Sequence, residues 1–149
     1  MENIKIEATA KTPQIDFNHL TGELILTGKS IPENAAKLYE DVLNWVKEYV
    51  EQPNKLTNFR LNLEYFNTSS TMWIARMVKT LSSIKKPDST LIVHFYYDIL
   101  EFESMDSEDL IDVINPVVSI AGDPIINIGL KVYGVGSDGQ VLKETMVLI

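Results

Sequence analysis

Asn67 is followed by four consecutive hydroxyl-bearing residues, Thr68-Ser69-Ser70-Thr71, between a predicted strand and a predicted helix. The first backbone N–H groups of a helix lack partners, and an Asn or Thr side chain can satisfy one of them. The same helix end carries partial positive charge and favours an anion. The residues therefore have two interpretations. They cap the helix, or one of the hydroxyls carries a phosphate group.

Sequence patterns on both sides position this polar turn. Alternating apolar residues and β-formers predict a strand over residues 59–66, and helical spacing of apolar residues predicts a helix that ends near residue 84. Ser30, with Glu33 three residues later, fits a capping box for an earlier helix that ends near residue 51. A third, short helix over residues 107–115 is expected to end or kink at Asn115-Pro116. The other predicted strands cover residues 4–8, 14–17, 23–28, 90–97, 125–133 and 141–148.

The order of these elements predicts an α/β fold. Its centre reads βαβαβ, which implies parallel neighbours joined by right-handed crossovers. We expect a single domain over residues 1–149, with a mixed β-sheet, helices mainly on one face and a C-terminal β-hairpin. The segment from Gly134 to Gly139 matches the bare G-x-G-x-x-G string, but a strand follows it rather than a helix, so we interpret it as the hairpin turn.

Composition and charge exclude several classes of function. The chain has no cysteine, which excludes disulfides, thiolate catalysis and cysteine-based zinc sites. Its net charge is −8, so binding to nucleic acid or to an anionic membrane surface is disfavoured. No apolar run approaches the length of a membrane helix and no signal segment opens the sequence, so we expect no membrane insertion and a cytoplasmic location.

A cluster of carboxylates between residues 98 and 112 has two possible interpretations. It could bind magnesium or calcium, or it could be a solvated or partner-facing loop, which charge runs usually are. The two histidines, His19 and His94, have no evident catalytic partner, and the G-x-S-x-G elbow is missing, so we predict neither an enzyme nor a cofactor. A homodimeric scaffold formed through the C-terminal hairpin is a further alternative. The cluster consists of Asp98, Glu101, Glu103, Asp106, Glu108, Asp109 and Asp112.

Several motifs, in this order and spacing, resemble the SiaC family of bacterial biofilm-regulation phosphoproteins. The resemblance covers residues 9–112, and the segment from about residue 121 to 149 exceeds the usual family length. The motifs are Thr12-Pro13-Gln14-Ile15-Asp16-Phe17, Gly22-Glu23-Leu24, Gly28-Lys29-Ser30-Ile31-Pro32-Glu33-Asn34, Tyr65-Phe66-Asn67-Thr68-Ser69-Ser70 and Phe95-Tyr96-Tyr97-Asp98.

The resemblance implies a fold similar to the anti-sigma-factor antagonist (STAS-like) domain and a role in partner switching. It implies that Thr68 is phosphorylated by a dedicated serine/threonine kinase and dephosphorylated by a PP2C-type phosphatase. It also implies that the unphosphorylated form binds a downstream effector such as a diguanylate cyclase. We expect Asn67, Ser69 and Ser70 to set the loop and to contact the partner. Tyr97 and Asp98 are expected to contact the partner as well.

Overall fold

A seven-stranded mixed sheet, in which the strand order follows the chain from β1 to β7, forms the framework of the protein. The computed structural model describes all residues from 1 to 149. The strands are β1 Ile4–Ile6, β2 Gln14–Asn18, β3 Glu23–Ser30, β4 Leu56–Phe66, β5 Thr90–Asp98, β6 Asn127–Val135 and β7 Val141–Leu148. The helices are α1 Ala35–Tyr49, α2 Thr68–Ser82, α3 Ile99–Ser104 and α4 Ser107–Ala121.

The four strands from β3 to β6 run parallel, whereas β1, β2 and β7 pair antiparallel with their neighbours. Helices connect the parallel strands, and right-handed crossovers between successive neighbours place those helices on the same face of the sheet. The predicted α/β class and mixed sheet are confirmed. The C-terminal hairpin is present as well. Its first strand, β6, also pairs parallel with β5, and β7 forms the antiparallel edge of the sheet.

The hydrophobic core lies between this sheet and the helices, because alternate residues of each central strand point toward the helices. Phe17 and Phe59 are fully buried there, with their rings edge to face at 6.1 Å between centroids. On α1, Trp45 and Tyr49 stack at 5.4 Å. Burying aromatic side chains of this size contributes strongly to stability. None of the four helices combines the length and apolar character needed to cross a membrane.

The first helix begins later than its sequence pattern predicts. Asn34 is the N-cap of α1, and its side chain accepts a hydrogen bond from the backbone N of Lys37 at 3.2 Å. Ser30 instead ends β3, where it pairs with Phe66 and is fully buried. The capping box predicted at Ser30 is therefore wrong, because strand pairing continues through this residue.

The acidic stretch is helical rather than a loop. Asp98 and Asp106 cap α3 and α4, and Asp109 completes a capping box with Asp106. The helix α4 also continues through Pro116 to Ala121, so of the two outcomes predicted at Asn115-Pro116, the helix end is wrong. Burial of the next residue, Val117, explains why packing outweighs the backbone hydrogen bond that a proline removes. No group of three or more His, Asp or Glu side chains converges in the chain, and the metal-binding alternative stays a prediction.

The last strand, β7, forms one edge of the sheet and carries apolar side chains that are exposed. Leu142 is 54% exposed and Leu148 is 77% exposed. An open strand edge of this kind can pair with another chain. The homodimer alternative from the sequence therefore stays a prediction.

A hydrogen-bonded cluster lies on the face of the sheet opposite to the helices, centred on His94, which is only 2% exposed. Its Nε2 lies 2.8 Å from Asn58 Oδ1, which can only accept, so Nε2 carries the proton. Its Nδ1 then accepts from Tyr133 Oη at 2.8 Å. Burial, together with the cations of Arg60 and Lys131, lowers the pKa of His94 to about 3. The histidine is thus a structural group held neutral.

This cluster predicts a loss of stability on acidification. The unfolded chain binds a proton at His94 near pH 6.5, whereas the folded chain does so near pH 3, so stability should fall as the pH drops between these values. From pH 7 to pH 5 this residue should remove about 2 kcal/mol of unfolding free energy. Urea titrations should show that loss disappear in His94→Gln and persist in His19→Gln. Equal pH dependence in all three proteins would contradict the assignment.

Gly134 in β6 is the place where α3 packs on the sheet. A Cβ atom added to Gly134 would lie 2.8 Å from Ile99 Cδ1 and 2.9 Å from Phe102 Cβ. We expect Gly134→Val to lower the unfolding free energy by about 1–3 kcal/mol, because the larger side chain displaces α3. Gly129→Ala is a control in the same strand, since its Cβ would lie 3.0 Å from the flexible end of Met146 and at ordinary contact distances from Leu148 and Val147. Chemical denaturation of both variants tests this difference.

Candidate functional site

Among the four consecutive hydroxyls, only that of Thr68 is exposed and makes no hydrogen bond within the protein. Thr68 is the first residue of α2, and Asn67 before it is the N-cap, whose side chain accepts from Ser70 N at 2.9 Å. Ser69 Oγ donates to Asn67 Oδ1 at 3.0 Å, and Thr71 Oγ1 donates to Asn67 O at 3.2 Å. Thr68 is thus the member of the run whose hydroxyl is exposed and has no hydrogen-bond partner within the protein.

Ser70 lies in the interior and is fully buried. Its Oγ donates to the carbonyl oxygen of Ser30 at 2.9 Å and lies 2.7 Å from Ser30 Oγ, which in turn lies 2.5 Å from Tyr39 Oη. Because the carbonyl can only accept, the hydroxyls form a directed chain from Tyr39 through Ser30 to Ser70. The prediction that Ser70 contacts a partner is wrong in this structure, since its side chain is sealed in the core.

The sequence pattern did not identify Ser30 and Tyr39 as parts of the site. Burial raises the pKa of Tyr39, against the opposing effect of its bonds to Ser30 and Ser70, so it remains a neutral donor. The backbone N of Asn67 also donates to the carbonyl of Ser30, at 3.0 Å. Two sequence motifs that lie more than thirty residues apart, Gly28–Asn34 and Tyr65–Ser70, therefore meet at one junction. Their joint presence in the sequence was the only signal of that contact.

Four exposed apolar side chains flank Thr68 along β4 and α2 or follow the neighbouring end of β3. Tyr65 and Phe66, at the end of β4, are 64% and 53% exposed, and Met72, one turn along α2, is 52% exposed. Ile31, which follows the strand partner of Phe66, is 39% exposed. We call these four residues the Thr68 patch. Exposed apolar side chains concentrated in one region, with polar residues beside them, are typical of a protein interaction surface.

The electrostatic environment of Thr68 tolerates a negative charge. As the first residues of α2, Thr68 and Ser69 have backbone N–H groups with no helical acceptor. The helix dipole places partial positive charge at the same position. Lys29, the strand neighbour of Tyr65, has its Nζ 5.8 Å from the centre of that ring. An anion on Thr68 would therefore be compatible with the folded chain.

Tyr97 and Asp98 line a cleft together with residues at the end of β4 and the beginning of α2. The cleft has a volume of about 970 Å³, and its walls include Phe66 and Thr71 on one side and Tyr97 and Asp98 on the other. Tyr97 is half-buried, and burial together with Glu101 raises its pKa. The carboxylate of Asp98 accepts from Leu100 N at 2.9 Å, so it caps α3 while remaining exposed.

The buried hydroxyl chain predicts a difference between adjacent serines. Ser70→Ala should lower the unfolding free energy by about 1–3 kcal/mol, because it leaves the buried hydroxyl of Ser30 without its acceptor. Ser69→Ala should change it by less than about 0.5 kcal/mol, because Ser69 is exposed. Denaturant unfolding of the two single variants makes the comparison. Equal losses would contradict the directed chain.

Comparison with proteins of known structure shows the same fold. The crystal structure of apo-SiaC from Pseudomonas aeruginosa has a TM-score of 0.65 and 23% identity, over 86% of this chain and 98% of that chain. SiaC in complex with the diguanylate cyclase SiaD, of which it is described as the activator, has a TM-score of 0.65 and 23% identity, over 84% and 97% of the two chains.

Sequence comparison supports the same relationship. An uncharacterized protein of Pseudomonas aeruginosa strain UCBPP-PA14 is 28% identical over 98 residues, which are 66% of this chain and 78% of the relative. Residues 6–116 match the family described as SiaC family regulatory phosphoproteins. With about three quarters of its length matched and its fold shared, this chain belongs to the SiaC family.

Proposed function

We propose that the protein is a phosphorylation-controlled binding protein and that Thr68 is its phosphoacceptor. The observation that carries this proposal is the free, exposed hydroxyl of Thr68 beside three hydroxyls that are bonded within the protein. A kinase needs an accessible oxygen atom, and Ser70 offers none because it is buried. Membership of a family of regulatory phosphoproteins supports the same assignment.

Phosphorylation would add about −1.5 to −2 charges at Thr68. The N-terminus of α2 would stabilise that charge by about 0.3–2 kcal/mol through its dipole and free N–H groups. The modified chain therefore keeps its fold, and the switch acts through surface charge and shape.

A partner bound over the Thr68 patch would exclude water from Thr68. Desolvating the neutral hydroxyl requires little free energy, whereas desolvating a phosphate would require several kcal/mol. Each ~1.4 kcal/mol weakens binding tenfold. Binding of the unphosphorylated form and release of the phosphorylated form follow from this difference. No conformational change is required.

The proposed downstream effector is a diguanylate cyclase, because SiaC from Pseudomonas aeruginosa is described as the activator of the diguanylate cyclase SiaD. A serine/threonine kinase and a PP2C-type phosphatase would add and remove the phosphate. The chain itself would act by binding and not as an enzyme, in the cytoplasm. Its contact surface would comprise the Thr68 patch with Ser69, and across the cleft Tyr97 and Asp98. Asn67 would act indirectly, since its side chain caps α2.

Phosphorylation by the cognate kinase tests the acceptor directly. We expect Thr68→Ala to abolish phosphate incorporation, measured as the gain in intact mass, with the wild-type phosphate mapped to Thr68 by peptide sequencing. Ser69→Ala and Thr71→Ala should be modified normally, because their hydroxyls are bonded to Asn67. Full modification of Thr68→Ala would refute the proposal.

Affinity for the effector tests the switch. Stoichiometrically phosphorylated protein should bind a purified diguanylate cyclase partner at least about a hundredfold more weakly than unmodified protein, because the phosphate must be desolvated. Treatment with a PP2C-type phosphatase should restore binding, measured by calorimetry. Met72→Ala should weaken binding without phosphorylation, whereas Leu20→Ala, an exposed apolar residue outside the Thr68 patch, is the matched control. Equal affinities of the two phosphorylation states would exclude the switch.

A further inference from the structure

The parallel sheet splits between its two central strands. The strands β4 and β5 pair only as far as Leu61 and Phe95. Beyond this point β4 continues to Phe66 in contact with β3, and β5 continues to Asp98 in contact with β6. Residues 62–66 and 96–98 therefore each have one backbone edge with no strand partner. These free edges lie inside the sheet rather than at its ends.

The cleft above this split is apolar at its base. It lies between α2 and α4, where the two helices cover the ends of the separated strands. Its base offers aliphatic surface to an incoming side chain. The apolar side chains that line it include Leu63, Ile74, Ala75, Val78, Val117 and Ile120.

The charges that line the cleft have one sign. Four carboxylates are present, those of Glu64, Asp98, Glu101 and Asp112, and no lysine or arginine is among the lining residues. Pro116 also lines the cleft and has no N–H to donate to the carbonyl oxygen of Asp112. That carbonyl oxygen is therefore a further hydrogen-bond acceptor, with partial negative charge like the carboxylates. The cleft is therefore complementary to a positively charged group.

We propose that the cleft binds an extended, positively charged segment of a partner protein, which pairs with the free edge of β4 at residues 62–66. Main-chain hydrogen bonds to an open edge provide affinity, and alternate side chains provide specificity. In such a segment, apolar side chains would contact the base while lysine or arginine side chains meet the carboxylates. A helix would leave the free edge unpaired, because it satisfies its own backbone. This inference goes beyond the proposed function and needs no phosphate on Thr68.

A labelled nine-residue peptide of alternating valine and lysine is the probe, with binding to the full unmodified chain followed by fluorescence anisotropy. We expect replacement of its lysines by glutamates to weaken binding at least about tenfold, because it reverses the charge that faces the carboxylates. N-methylation of alternate backbone amides should weaken binding to a similar extent, because it removes the main-chain hydrogen bonds to β4. Hydrogen exchange of the amides on the free edge of residues 62–66 should slow when the probe binds. Thr68→Ala should bind the probe as the wild type does, which separates this test from the phosphorylation tests.

The variant Ala75→Phe should fill the cleft and weaken the probe at least about tenfold, whereas Ala36→Phe, on the exposed side of α1, should not. Circular dichroism tests whether both variants fold. The exchange measurement uses the wild type and does not depend on the folding of Ala75→Phe. The proposal is overturned if the N-methylated peptide binds equally well, if a helical leucine–lysine peptide binds more tightly, or if exchange at residues 62–66 does not change.

Discussion

The carbonyl oxygen of Ser30 holds the site together. It accepts the backbone N–H of Asn67 at 3.0 Å and the hydroxyl of Ser70 at 2.9 Å. These two bonds fix the turn from β4 into α2 at both of its ends. Thr68 lies between them, and its side chain is exposed to solvent. A buried junction whose hydrogen bonds are satisfied therefore lies on one side of Thr68, and its exposed hydroxyl lies on the other. Burial of Ser30 removes competing water and makes the arrangement rigid.

Local pattern predicted most of the fold, because strand alternation and helical spacing report how side chains divide between core and solvent. Boundaries failed where a tertiary contact outweighed a local signal. Serine is a residue type that favours helix N-caps, but the pairing of Ser30 with Phe66 extends β3 through this position. Pro116 signals the end of a helix, but packing of α4 carries the helix past it. Neither contact is encoded within a few residues of the position concerned.

The same division applies to the candidate site. The run from Asn67 to Thr71 indicated the candidate site in the sequence. The sequence does not distinguish its four hydroxyls, which differ in burial and hydrogen bonding only in the folded structure. One faces the core, two bond to Asn67 and one is free. The split between β4 and β5 had no sequence signal at all, because each strand looks continuous by itself. Only the register, which stops at Leu61 and Phe95, reveals it.

The two features share one strand, and this has a mechanical consequence. Thr68 begins the helix that directly follows the free edge of β4, so a partner strand on that edge and a phosphate on Thr68 would lie on one continuous, rigid segment. Because the proposed switch requires no conformational change, any influence of one site on the other would act through charge and through the shape of a partner that covers both. A partner that touches only the cleft would be indifferent to the phosphate, and one that spans the cleft and the Thr68 patch would respond to it. The extent of the partner surface, rather than flexibility of this chain, would then decide which interactions the proposed phosphorylation controls.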